Sequence, residues 1–326
     1  MRANEELVDR LAQRHNEKIG PLSSQAYDEL VLAVRKDPEA FLVDDADRAF
    51  RRLGQALDAN AQARAEEEFL DDDAYEAARA KRLERLCAGC REALELDGGC
   101  LDASTVLALA ENKDADEALV ALDELWEKAH GDERVAQLGG SADVSAWSDA
   151  LARPVLRLLA ARARTQLDTA RYRLACASCD QLVSLDPTDV LGARFSWAVA
   201  LARLEDEEGF DQLDARFDRK GNAWSHLART LLMFKLDRTG AARRALRGYA
   251  SLCTGGAYAL LRPTFVDTYL PDRPEFAPGS FEEASLAVHE CDPVVMDTPD
   301  FITWAGDQDG FTERAQKFAQ DHDLDW

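Results

Sequence analysis

Little in this sequence points toward a membrane, a secretory route or a catalytic centre. No stretch of the 326 residues approaches the ~18 consecutive apolar residues of a membrane span. The opening, "MRANEELVDRLAQRHNEKIG", has acids in its first turn and no apolar run behind a basic end, so it reads as an amphipathic helix and not as a signal peptide. A Gly-rich phosphate loop followed by Lys-Ser/Thr is missing, as are His-Glu-x-x-His and Gly-x-Ser-x-Gly. The five histidines are scattered; "HEC" at His289 to Cys291 reads as a helix end rather than a ligand set. "DQDGFTERAQKF" looks only faintly like a calcium loop and lacks the acid expected at its end, where Phe318 stands. The expectation is a protein that is not an enzyme, with no catalytic residues and no cofactor.

β-branched residues are also sparse beside alanine, leucine, arginine and the acids. Straight-chain residues lose little rotamer freedom in a helix, so the composition predicts an all-α chain. At 46% hydrophobic and 31% charged, the chain has the balance of a soluble globular protein with a substantial core. Seven cysteines, an odd number without an export signal, predict reduced thiols and a cytoplasmic location.

The formal net charge is -23, which repels phosphate backbones and anionic lipid surfaces and argues against nucleic-acid and membrane partners. The average conceals an asymmetry. Residues 151–250 carry 17 basic and 12 acidic residues, a net of +5, so the remainder nets -28.

The cysteines fall partly in two Cys-x-x-Cys pairs, and the surrounding segments are related: "CAGCREALELDGG" aligns with "CASCDQLVSLDPT". Cys87 falls on Cys176, Cys90 on Cys179, Leu96 on Leu185 and Asp97 on Asp186, and each segment then passes through a turn into a new helical pattern. The offset of 89 residues is two periods of 34 with an insertion, supplied by the irregular stretch near 131–150.

A 34-residue helix-turn-helix period is that of the tetratricopeptide repeat, and several segments resemble its pattern. Tyr172, Ala175, Leu185 and Pro187 match the second helix and its terminating proline; Trp224, Leu227, Ala228 and Leu231 match the first helix. "DEALVALDELW" at Asp116 to Trp126 is a further match, while the usual first-helix glycine is alanine at Ala163 and Ala228. The resemblance implies a solenoid of antiparallel helix pairs, with helices near 154–167, 170–185, 190–204, 209–217, 222–236 and 239–253. The expected organisation is an N-terminal helical cap over 1–70, repeats over 71–253, and a tail over 254–326. That tail holds Pro263, Pro271, Pro274 and Pro278, which exclude a long helix, and then Ser280 and Glu283 in a capping box. It is expected to cover the apolar edge of the last repeat.

The ending is also similar to bacterial repeat proteins related to the suppressor of tumorigenicity seven family. Tyr258, Leu260 and Leu261, then Glu283 and Ala284, then Thr298, Pro299 and Trp304 carry this similarity. An Asn-Pro expected before the first of these segments is replaced around Thr254-Gly255-Gly256. The family implies no known chemistry.

In the repeat frame both cysteines of each pair lie on the buried stripe of a second helix, as small hydrophobes. The alternative is a metal-binding or thiol redox protein using Cys87, Cys90, Cys176 and Cys179. Four thiolates suit zinc, but pairs two repeats apart, with helix axes ~8–10 Å apart, do not reach one ion. A redox couple needs a lowered thiol pKa, usually gained at a helix N-terminus after a strand, and these cysteines fall mid-helix.

The first helix of each pair lines the concave surface of a tetratricopeptide array. That frame places Arg157, Arg164, Arg194, Asn222, Ser225 and Arg229 as candidate donors for a protein or peptide segment, possibly acidic, since arginine forks bind carboxylates bidentately. The competing reading has these arginines paired with the protein's own acids, from neighbouring helices or from the tail.

Overall fold

The computed structural model describes all residues except 1–2, 68–69, 113, 130–133, 135–144 and 268. Every regular element among the described residues is helical, and no helix there is long and apolar enough to cross a membrane. In order these are α1 (Ala3–Ile19), α2 (Ser24–Lys36), α3 (Asp45–Glu66), α4 (Asp72–Leu96), α5 (Leu101–Glu111) and α6 (Ala115–Ala129). Then come α7 (Arg153–Asp168), α8 (Tyr172–Leu185), α9 (Ala193–Leu204), α10 (Glu207–Arg216), α11 (Ala223–Lys235) and α12 (Thr239–Leu252). The last four are α13 (Gly256–Leu261), α14 (Phe281–Met296), α15 (Phe301–Gly306) and α16 (Phe311–Asp321). The all-α expectation holds, and the six expected helices between 154 and 253 match α7 to α12 to within a few residues. Most of the expected insertion lies outside the described residues; its end forms a short 3-10 turn at Ala146–Ser148.

Two compact units result. The first comprises Met1–Thr165, Ser184–Val190 and Leu270–Asp272; the second comprises Gln166–Val183, Leu191–Tyr269 and Arg273–Trp326. The first division falls inside α7.

In the first unit, α1 places Leu7, Val8, Leu11 and Ala12 on one stripe against Val34 of α2 and Phe50 of α3. Asp44 caps α3 by accepting from the Asp47 amide at 3.1 Å, and Asp71 caps α4 by accepting from the Ala74 amide at 2.9 Å. The two long helices then pack through Ala49, Leu53, Ala56 and Leu57 against Leu86, Cys90 and Ala93. Gly89 is what lets them approach: a Cβ there would lie 2.5 Å from the Ala56 Cβ.

In the second unit, α11 and α12 form an antiparallel pair across the three-residue turn 236–238. Trp224, Leu227 and Leu231 of α11 meet Leu246 and Tyr249 of α12, and most of the rest of that core comes from α13 to α16, with Val199 of α9 added. The tail helices therefore pack on this helix pair, where the tail was expected to lie. The described residues of 262–280 contain no helix, and the Ser280 hydroxyl accepts from the Glu283 amide at 3.1 Å as the capping box required. Its reciprocal bond moves one residue back, with the Gly279 amide donating to Glu283 Oε2 at 2.6 Å.

The paired segments share local geometry. α4 and α8 each end at a leucine followed by an Asx turn: Gly99 donates to Asp97 Oδ1 at 2.9 Å, and Thr188 donates to Asp186 Oδ1 at 3.2 Å. The Cys100 amide bonds the Asp97 carbonyl, and the Asp189 amide bonds the Asp186 carbonyl, each at 3.0 Å. The inner positions of the pairs differ for a packing reason. Gly89 faces Ala56, whereas the equivalent Ser178 is buried and donates to Gln166 Oε1 at 2.9 Å. Gly89→Ala is expected to force α3 and α4 apart and to cost about 1–3 kcal/mol; chemical denaturation of the variant checks this, and an unchanged midpoint would refute the close-approach role.

Candidate functional site

The six residues expected to line a groove are divided between the two units, and most are engaged internally. Arg157 and Arg164 lie on α7 in the first unit. Arg157 is fully buried, which corrects its assignment to an open concave surface. Its guanidinium meets Glu6 of α1, Asp102 of α5 at 3.0 Å and Asp272 of the tail at 3.1 Å, with Cζ 5.2 Å from the Trp147 ring. Burial raises Glu6 above the ordinary carboxylate range despite the opposing pull of Arg157, and Glu6 Oε1 has no hydrogen-bond partner among the described residues. Arg164 is half-buried, and its Nη2 donates to the Pro271 carbonyl at 2.6 Å.

The other four lie in the second unit. Arg194 is half-buried against two rings, its Cζ 5.0 Å from both Phe195 and Phe217. Asn222 and Ser225 cap α11 reciprocally: Asn222 Oδ1 accepts from the Ser225 amide, and Ser225 Oγ accepts from the Asn222 amide, both at 2.9 Å. They are committed to the helix start rather than presented to a ligand. Arg229 spans Asp211 at 2.7 Å and Asp214 at 2.8 Å on α10, over the Phe210 ring. Acids of a neighbouring helix and of the tail thus occupy arginines expected to face a partner.

A second arginine node went unmarked in the sequence. Arg273, in the Pro-rich tail, forks onto Glu290 of α14 at 2.8 and 3.0 Å. It also donates to the carbonyls of Leu191 and Gly192 and to Ser196 Oγ. The Phe195 and Trp224 rings, stacked 4.3 Å apart, lie within 5.7 Å of its Cζ. Glu290 also accepts from Trp224 Nε1 at 2.7 Å and from Tyr269. Glu290 is the middle residue of "HEC", so this carboxylate is consumed by structure.

No disulfide joins the cysteines. Cys87, Cys90 and Cys179 are buried, and burial raises the Cys87 thiol and pushes Cys90 up to about 12. Cys176 departs from the expectation of a buried stripe: it is partly exposed and lines a cavity, with its thiol raised to about 11 by burial and then by Asp206. A reactive couple needs the opposite shift. Among the described residues no group of three or more His, Cys, Asp or Glu is arranged to hold a metal ion.

That cavity is about 860 Å³ in volume and is built from residues of the second unit. Three helices build it by helical spacing. Arg173, Cys176 and Asp180 come from α8; Trp197, Leu201 and Leu204 from α9; and Gly209, Gln212, Leu213 and Arg216 from α10. Leu201 and Leu213 form a buried floor, whereas Arg173, Asp180, Gln212 and Arg216 stand exposed at the rim. Arg216 Nη1 bonds Asp180 Oδ1 at 2.9 Å, and its Cζ lies 5.9 Å from the Trp197 ring. Arg173 forms no ion pair among the described residues. An apolar floor with charged edges holds an apolar side chain while fixing the chain that carries it. No family model, curated protein or solved structure matches this chain.

Thiol labelling of the native protein reads out this arrangement. Cys176 is expected to react first, its rate rising about tenfold per pH unit from pH 7 to 9 without levelling near the ordinary thiol pKa of about 8.5. Cys87 and Cys90 are expected to wait for unfolding, and their rapid native labelling would reverse the assignment of a packing role.

Proposed function

We propose that this protein is a non-catalytic interaction scaffold of the tetratricopeptide-like kind, and that it binds a segment of a protein partner in the α8–α9–α10 groove. The groove carries the reading: parallel stripes from three helices offer Trp197, Leu201, Leu204 and Leu213 as an apolar floor, with exposed charges beside it. Such rows suit a helix or an extended segment that inserts one or two apolar anchors. Arg173, exposed and without an ion pair, supplies the charge that selects an acid next to the anchor. Consecutive helix pairs with short turns between α9 and α12, and tail helices packed on the last pair, support the repeat-type reading. In this reading the likeness of the ending to relatives of the suppressor of tumorigenicity seven family describes a terminal cap.

The binding face accordingly moves away from the residues first expected to form it. Arg157 and Arg229 serve folding, and substituting them would confound binding with stability. A photo-crosslinking residue at Gln212 is expected to join a discrete partner segment, identified by mass spectrometry and then synthesised as a peptide. Leu204→Glu is expected to weaken that peptide by roughly tenfold or more, the effect of losing one apolar anchor contact of about 1–3 kcal/mol. Arg173→Glu should weaken it as well, with thermal unfolding unchanged in both variants. Peptide affinity indifferent to both substitutions would exclude the groove as the binding face.

A further inference from the structure

The arginines left over after internal pairing are not scattered evenly. Most basic residues in 151–250 reach an acid or another polar partner, whereas Arg173, Arg219, Arg243, Arg244 and Arg247 form no ion pair among the described residues. Three of these five occupy one stretch of α12. At spacings i, i+1 and i+4 they share its exposed side, while Ala242, Ala245, Leu246 and Tyr249 bury the opposite side in the core. Arg243 Nε donates to Gln308 Oε1 at 2.7 Å, which orients the guanidinium and leaves both Nη atoms unused. At the C-terminal end of the same helix, Arg314 of α16 donates to the Ala250 carbonyl at 3.4 Å and adds a fourth guanidinium to the row. Asp307 and Asp309 flank Gln308, yet neither forms an ion pair with these arginines.

We infer that this face of α12 is a docking surface for an acidic helical segment of a protein partner. Charge complementarity selects the occupant. Rigid helix spacing sets Arg243 and Arg247 about 6 Å apart along the axis, the rise between carboxylates at i and i+4 of a facing helix. Arginine forks take such carboxylates end-on through two Nη donors. A long polyanion or an anionic bilayer samples the whole molecule, whose net charge of -23 repels it; a short acidic helix meets only the local row. This inference rests on the unpaired arginines and is independent of the α8–α9–α10 groove.

The test uses the full chain and a fluorescent 18-residue alanine-based helix carrying Glu at i, i+4, i+7 and i+11, with its Gln counterpart as control. Binding by anisotropy at low salt is expected for the Glu peptide and not for the Gln peptide, falling as salt rises. R243E/R244E/R247E is expected to weaken it by about tenfold or more, the sum of several exposed charge pairs. R35E/K36E/R219E, which makes the same change in net charge at three exposed basic residues outside both this face and the groove, is expected to stay within about twofold of the parent. Equal losses in both variants would reduce the effect to net charge and overturn the inference. So would equal binding of the Gln peptide, tighter binding of a single-stranded DNA oligomer or of phosphatidylserine vesicles, or self-association through this face that the triple reversal abolishes. If the triple reversal unfolds, R243Q/R244Q/R247Q serves in its place, and wild-type affinity in that variant overturns the proposal equally.

Discussion

A guanidinium held entirely out of water at Arg157 constrains the first unit more than any other single group. Removing an ion of this size from water costs several kcal/mol, and only close, well-directed partners repay it. Arg157 receives them from three separate parts of the chain: Glu6 in the first helix, Asp102 in the fifth and Asp272 in the tail. The consequence is geometric. Those segments have to converge wherever the arginine is, and removal of any one leaves buried charge uncompensated, a loss of about 3–5 kcal/mol. Glu6 shows the tension directly, since desolvation raises its pKa while the arginine beside it pulls the other way.

The tail uses the same device at the very next residue. Leu270 packs in the α3–α4–α5 core, Pro271 accepts from Arg164 and Asp272 faces Arg157, all in the first unit. Arg273 then belongs to the second unit, where it is saturated by Glu290, two carbonyls and a hydroxyl. A stretch with four prolines has few amide donors and no helix of its own, so its order comes from side chains and carbonyls that meet these arginines. Proline-rich composition thus specified an irregular path, and charge specified where that path is fastened.

Helices were legible in the sequence because periodicity and caps are local. Leu7 and Leu11, Asp44, Asp71, Ser280 and the α7 to α12 series follow from spacing and capping chemistry alone. The site was less legible, because whether an arginine faces a ligand or a carboxylate depends on residues distant in sequence. Arg157 and Asp272 are 115 positions apart, and no local pattern announces their pairing. Asn222 and Ser225 were misleading for a different reason: their three-residue spacing is a capping signature, and it outranks any ligand role at a helix start. The basic stripe of α12 was readable in principle, since apolar positions 242, 245, 246 and 249 leave 243, 244 and 247 on the outside.

Charge in this protein therefore has two distinct occupations. Acids outnumber bases 62 to 39, so an arginine near the core finds a carboxylate readily, and an arginine that remains unpaired on the surface stands against that surplus. Such a residue gains nothing in folding: exposed pairs are worth little, and these do not form one. Three of them within a single helical stretch, facing outward from a well-packed core, present a field that the protein itself does not cancel. A net-negative chain with a local positive face discriminates among anions by size, because a short acidic segment stays within reach of the row while an extended polyanion overlaps the repelling remainder. The same surplus of acid that buries Arg157 thus sharpens what the face of α12 is able to select.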